Sequence, residues 1–257
     1  IDTMNLNTFE NRLYYSVVSI CGNTTQGTGF FFEYTSSNKS RFTFIITNKH
    51  VVSNCSFGDM TLLASKYPFP NKEILNGYVF NINIPENNWE NSWLFHPDES
   101  IDIAIMNFTP IEKASKNRGE FCFYTSLCNK DFLHKNDLNN FSAIEEILTV
   151  GYPFQSNNNM KHFYPIARRG VTASPIYLNK NNETKFLIDS QIFKGASGSP
   201  ICLKSQKNNS YYLAGLLCGA KIRNDDNTPL NLGECIFSDY IEQTILYHLP
   251  QLEHNFI

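Results

Sequence analysis

Gly195-Ala196-Ser197-Gly198-Ser199-Pro200 is the stretch on which the reading of this chain turns, a serine set among small residues at the start of an apolar strand. Glycine on either side lets the backbone turn sharply and lets a carbonyl group approach closely. In that geometry the amide hydrogens of Gly195 and Ser197 converge on one point, where an oxygen gaining negative charge would be held. One such donor lowers a reaction barrier by roughly 3 kcal/mol. Taken alone, the string also reads as an ordinary turn. A serine hydroxyl is a weak nucleophile that needs a base, normally a neutral imidazole oriented by a carboxylate. The two readings therefore separate on whether the rest of the chain supplies a suitable His and Asp.

Six histidines are available. His134, His162, His248 and His254 lie in polar or terminal stretches and are expected to be solvated, and His96 precedes Pro97 in an expected loop. His50 differs, because Ile46-Thr47-Asn48-Lys49-His50-Val51-Val52 places it at the end of an apolar strand beside further apolar residues. Asp102 lies inside Ile101-Asp102-Ile103-Ala104-Ile105 and reads as an acid embedded in an apolar strand. Burying it unpaired would cost several kcal/mol, so a partner is expected. Asp98 and Glu99 stand nearby as competing acids, each read first as loop surface.

Outward from these motifs, short runs rich in Val, Ile, Phe, Tyr and Thr recur between clusters of Asn, Gly, Ser and Pro. Examples are Tyr14 to Ile20, Phe42 to Thr47, Tyr78 to Ile84 and Tyr211 to Cys218. That spacing reads as an all-β chain. Two segments read as helical: Asn129 to Asp137, and Asp239 to His248, which Pro250 is expected to stop. The least strand-like stretch, Pro110 to Ser142, is where a boundary belongs, giving halves at residues 10–125 and 126–249.

The 257 residues, with 42% hydrophobic and 18% charged residues, are those of a folded chain of one or two modest domains. No apolar run approaches the roughly 20 residues of a membrane span. With 21 Lys plus Arg against 24 Asp plus Glu there is no basic excess, so neither nucleic acid nor membrane is expected as a partner. Seven cysteines, odd in number and without a C-x-x-C pair, argue against a metal site or a complete disulfide framework, and no cofactor is expected. Free thiols fit a reducing compartment. The expected location is cytoplasmic, with export left open; no secretory leader is recognised, and Met4 is read as the native start.

The order His50, Asp102, Ser197, at separations of 52 and 95 residues, resembles that of the chymotrypsin-fold (trypsin-like) serine peptidases. The local strings are similar to the bacterial branch that contains glutamyl endopeptidases and HtrA-type protease domains. Gly27-Thr28-Gly29-Phe30 resembles that branch's glycine-rich strand, and Val150-Gly151-Tyr152-Pro153 a strand early in its second barrel. Asp189, eight residues before the serine, also matches an acid common there. The resemblance runs from about Tyr14 to Leu249. It implies two six-stranded antiparallel β-barrels with a C-terminal helix, His50 and Asp102 in the first barrel and Ser197 in the second. It further implies a hydrolase in which His50 takes the proton of Ser197, Asp102 orients the imidazole, and Gly195 and Ser197 form the oxyanion hole.

The chain also departs from its relatives. Ala196 replaces the aspartate that in animal enzymes pairs with a new N-terminus, so activation by insertion of Ile1 is not expected. The chain ends soon after its final helix, and the peptide-binding PDZ domain of HtrA proteins is not expected. Gln191 falls at the base of the specificity pocket, which disfavours Lys or Arg. Ile192 and Leu217 stand where glutamyl endopeptidases place a threonine and a histidine, so neither satisfies a carboxylate. The expected residue before the cut (P1) is uncharged and apolar. Leu217, Cys218, Gly219 and Ala220 would form the strand that pairs with the peptide.

Peptide or protein substrates are thus the expected partners, and a regulatory protein partner is left open. Two other classes stay in view, a catalytically silent module that holds peptides and a gated protease component of a larger sensor or defence system.

Overall fold

Branched and aromatic runs cut by Asn, Gly, Ser and Pro favour extended backbone, and a computed structural model of the chain shows them as strands. The structure describes residues 6–86, 88–153, 164–180, 183–222 and 228–254. One sheet is built from β1 (Val17–Gly22), β2 (Gln26–Thr35), β3 (Arg41–Thr47), β4 (Gly58–Ser65) and β5 (Ile74–Ile84), joined by β6 (Leu94–Phe95), β7 (Ala104–Asn107), β8 (Cys122–Phe123) and β9 (Leu127–Cys128), the last of which lies past residue 125, the expected end of the first half. Its order is β5-β4-β1-β2-β3-β7-β6, with β8 paired to β4 and β9 laid parallel on β2.

Six of these strands have four residues or more, and β6, β8 and β9 have two each. The count of six long strands is the expected one, but the sheet is open, ending at β5 and β6 rather than closing into a barrel. Trp89 and Trp93, from the connection between those two edges, are buried with ring centroids 5.6 Å apart. They pack in the same core as Ile82, Ile84 and Ala104, and Trp89 Nε1 donates to the Val52 carbonyl at 2.9 Å. Side chains thus fill the seam that a closed barrel would bridge with a backbone ladder.

The second half is a closed barrel of β10 (Glu146–Gly151), β11 (Ile166–Thr172), β12 (Lys185–Asp189), β13 (Pro200–Lys204), β14 (Tyr211–Ile222) and β15 (Pro229–Phe237), in the order β10-β11-β12-β15-β14-β13. Alternate residues such as Phe186 and Ile188, Ile201 and Leu203, and Cys235 and Phe237 fill its interior. Leu148, Val150, Cys202, Leu216 and Ile236 instead join Phe30, Phe32, Phe44 and Ile46 of the first sheet in one shared core. That shared apolar layer holds the two halves together and so fixes the cleft above it.

Four α-helices complete the described chain: α1 (Phe9–Tyr14), α2 (Lys49–Val52), α3 (Thr109–Asn117) and α4 (Ser238–His254). The expected helix over Asn129 to Asp137 is instead two short 3-10 segments, Asn129–Asp131 and Lys135–Asn140. α4 does not stop at Pro250, which lies inside it. The proline leaves the carbonyl four residues back without its amide, but Leu246 is half exposed, where water can reach the backbone. Beyond the proline, Leu252 packs on the shared core and carries the last turn.

Candidate active site

His50 lies on α2, a single turn at the end of β3, rather than on the strand end itself. A four-residue helix has no internal stability and must be held from outside. Asn48, at its N-cap, makes no capping bond; its Nδ2 donates to the Asp102 carbonyl at 2.9 Å. The cap comes from Asp102, whose Oδ1 accepts the His50 backbone N–H at 2.9 Å. Its second oxygen, Oδ2, lies 2.6 Å from His50 Nδ1. One carboxylate therefore fixes both the backbone and the ring of His50, leaving Nε2 as the outward nitrogen.

Asp102 is not embedded in a strand. It sits two residues before β7, at the tip of a tight turn closed by the Ile103 N–H on the Ile101 carbonyl at 3.0 Å. Ile101 and Ile103 are buried in the shared core, so the acid between them projects the other way, 27% exposed, to meet its partner. The competing acids have other positions. Asp98 Oδ1 accepts from the Ser100 N–H and hydroxyl at 2.9 and 2.7 Å, and Glu99 is exposed.

Ser197 is held against β2. The Thr28 N–H donates to the Ser197 carbonyl at 2.8 Å, the Thr28 hydroxyl donates to the Gly195 carbonyl at 2.9 Å, and the Tyr152 N–H donates back to that hydroxyl at 2.9 Å. Gly195 has φ +91° in a turn closed by the Ala196 N–H on the Phe193 carbonyl, the third position of a type II turn, which demands glycine. Gly198 has φ +88°, and a Cβ there would lie 1.9 Å from the Thr28 carbonyl oxygen. Among the described residues, neither the Gly195 nor the Ser197 N–H has an acceptor. Gly27 ties the two halves of the site together, since a Cβ on it would touch both Val51, the neighbour of His50, and the Ser197 carbonyl.

The other predicted residues divide. Pairing of β13 with β14 stops at Pro200 opposite Leu216, and from Cys218 onward that edge of β14 has no strand partner among the described residues, while its other edge pairs with β15. A Cβ on Gly219 would meet nothing within 4 Å, and Ala220 is exposed, so both border open space. Leu217 is buried in the barrel core, and its own amide is used by the Ser199 carbonyl, so its side chain forms no open wall. Ile192 is half buried against that core, and Gln191 is exposed. Asp189 is exposed at the end of β12. Cys218 donates its thiol to the Glu234 carbonyl at 3.2 Å, and burial pushes that thiol up to about 12. Glu234 also binds Lys185 and Lys221 at 2.9 and 2.6 Å, a cluster that sequence reasoning missed because its members come from three strands.

His248, expected to be solvated, is instead partly buried, while His96 does lie in the expected loop. His96 is buried, with Nδ1 accepting the Asp98 N–H at 3.0 Å, and His248 Nε2 donates to the Phe95 carbonyl at 2.7 Å. His134 lies 3.6 Å from Glu242, and His254 is exposed. His162 and Ile1 lie outside the described residues. All seven cysteines are free thiols. Among the described residues no group of three His, Cys, Asp or Glu is placed to hold a metal ion, and no helix is long and apolar enough to cross a membrane.

The sequence profile of the trypsin-like peptidase domain matches residues 27–208, which span β2, α2, the Asp102 turn and the Ser197 loop. The chain belongs to the trypsin-like peptidase family. It is a serine protease by that membership, with the mostly β, barrel-containing fold of chymotrypsin-like enzymes. Among solved structures it is similar to Rv3671c of M. tuberculosis in an inactive mutant form, at 16% identity and a TM-score of 0.48, over 90% of this chain and 85% of that one. A second inactive form of the same protease gives 16% identity and a TM-score of 0.45, over 91% and 89%. A search of the curated proteins returns no match.

Proposed function

We propose that this trypsin-like peptidase is a serine endopeptidase in which His50, Asp102 and Ser197 form the triad. Ser197 attacks the scissile carbonyl while His50 Nε2 takes its proton, the acyl-enzyme forms, and the same proton passes to the leaving amine. Asp102 holds the ring tautomer through Nδ1 and stabilises the imidazolium. The Gly195 and Ser197 amides bind the oxyanion. The substrate pairs with the open edge of β14 at Cys218 to Ala220, adding one strand.

The observation that carries this reading is the double grip of Asp102 on His50, backbone and ring together, beside a serine loop anchored to the adjacent strand. An acid that caps a helix for structural reasons alone has no need to reach the imidazole as well. With Gln191 exposed and Ile192 apolar, an uncharged, apolar P1 residue remains the favoured substrate feature. Seven free thiols favour action in a reducing compartment, the cytoplasm.

The test is labelling with a fluorophosphonate probe. The parent is expected to label covalently and Ser197→Ala not at all. Equal labelling of both proteins removes Ser197 as the nucleophile, and no labelling of the parent removes the active-enzyme reading.

A further inference from the structure

A cavity of about 390 Å³ lies between the β4–β5 turn, α3 and the start of β3, and none of the residues assigned to the cleft lines it. Its walls carry four cationic side chains and two carboxylates. Lys72 is the central one. Its side chain is only 11% exposed, and Nζ stands 3.4 Å from the centre of the Tyr124 ring. The nearest carboxylate oxygen, Glu112 Oε1, is 3.7 Å away, beyond direct hydrogen bonding, and the same oxygen serves Lys116 at 3.5 Å. One carboxylate is therefore divided between two ammonium groups.

The remaining charges do not redress this. Arg12 from α1 is committed to Asp131 through two bonds of 2.9 and 2.8 Å. Arg41 on β3 is exposed and has no ion-pair partner among the described residues, and Glu33 on β2 is the other carboxylate of the wall. A nearly buried ammonium short of negative charge attracts an anion. Two lysines and an arginine around one cavity match the several acceptor oxygens of a phosphate. Phe69, 70% exposed, adds a flat apolar surface to the same cavity.

We propose that this cavity binds a phosphate monoester, its phosphate on Lys72, Lys116 and Arg41 and its apolar part against Phe69. The site is independent of the cleft and of the triad assignment. Burial holds the Lys72 amine below its ordinary range, against the opposing pull of the Cys122 thiol on β8 and of Glu112, with Lys116 adding to the lowering. An incoming dianion opposes that lowering.

Titration calorimetry of the whole chain with phenyl phosphate and with inorganic phosphate tests this. Expected are saturable binding of phenyl phosphate and an affinity at least about 10-fold above that for inorganic phosphate. Lys72→Met and Arg41→Gln are each expected to weaken binding about 10-fold. Lys66→Gln, in the same turn but paired with Glu73, is expected to leave it unchanged. Because Arg41 is exposed, its variant reads binding without disturbing the fold. Equal affinity for both probes overturns the monoester in favour of the free ion. No saturation by about 10 mM, or equal affinity in all three variants, overturns the site.

Discussion

Replacing Thr28 by Val tests whether the serine loop owes its shape to β2. The side chain is wholly buried, and its hydroxyl is the only atom lost from a residue of nearly the same volume. Two groups then lose their partner, the Gly195 carbonyl and the Tyr152 N–H, both in buried residues. Each such group left without a partner costs about 1–3 kcal/mol, so a loss of about 2–6 kcal/mol is expected, lowering Tm by about 5–20 °C in a chain of this size. The effect on chemistry is larger in proportion. The Gly195 carbonyl anchors the turn that aims the Gly195 N–H, and losing one oxyanion donor costs about 100- to 1000-fold in rate. The assay is the second-order rate of fluorophosphonate labelling beside a calorimetric melt, with Thr28→Ser, which keeps the hydroxyl, expected to label within about threefold of the parent. If Thr28→Val melts lower yet labels at the parental rate, the turn is held by something else and the reasoning is refuted.

Gly219→Val adds its side chain to open space at the unpaired edge of β14, so Tm should stay within about 2 °C of the parent while kcat/KM on peptides falls at least about 10-fold; unchanged kinetics would move the substrate strand elsewhere. Burial pushes the Asp131 carboxyl up, but its paired bonds to Arg12 and the Cys128 N–H outweigh this and hold it below the ordinary range. A carboxyl lowered in the folded state contributes stability above its unfolded value of about 3.9 and loses it as acid protonates the folded form. Arg12→Met should therefore cost about 3 kcal/mol at neutral pH, with the gap to the parent shrinking as the pH falls past the unfolded value of about 3.9 in denaturant melts; a gap that is constant with pH would show packing, not charge, at work.

The β class, strands such as β3 and β5 of the first sheet and the chain order of the candidates His50, Asp102 and Ser197 were legible because each rests on local spacing. Strand alternation and a Gly-Ala-Ser-Gly turn are properties of a few consecutive residues. Three things were not. The Trp89–Trp93 plug opens what the family resemblance implies as a barrel, because closure depends on what fills the seam between strands far apart in sequence. The turn at Asp102 reads as a strand, because both conformations place Ile101 and Ile103 on one side and the acid on the other. α4 runs through Pro250 because Leu252 finds a core to pack on, and a single-sequence reading prices the lost hydrogen bond without seeing that contact.

The site divides in the same way. From the sequence alone came the candidates for the proposed reacting groups, since a nucleophile, a base and its orienting acid are chemical types that such a reaction needs whatever the fold. The tertiary structure alone decided how they are held. Asn48 spends its amide on the Asp102 backbone, Asp102 caps the helix of its own partner, and Thr28 clamps a loop 167 residues away. Those bonds join residues with no fixed relation along the chain, and they exist only because one apolar layer presses the two halves together. Local chemistry is written in neighbouring residues, whereas orientation is set by contacts that form only when distant segments share a core.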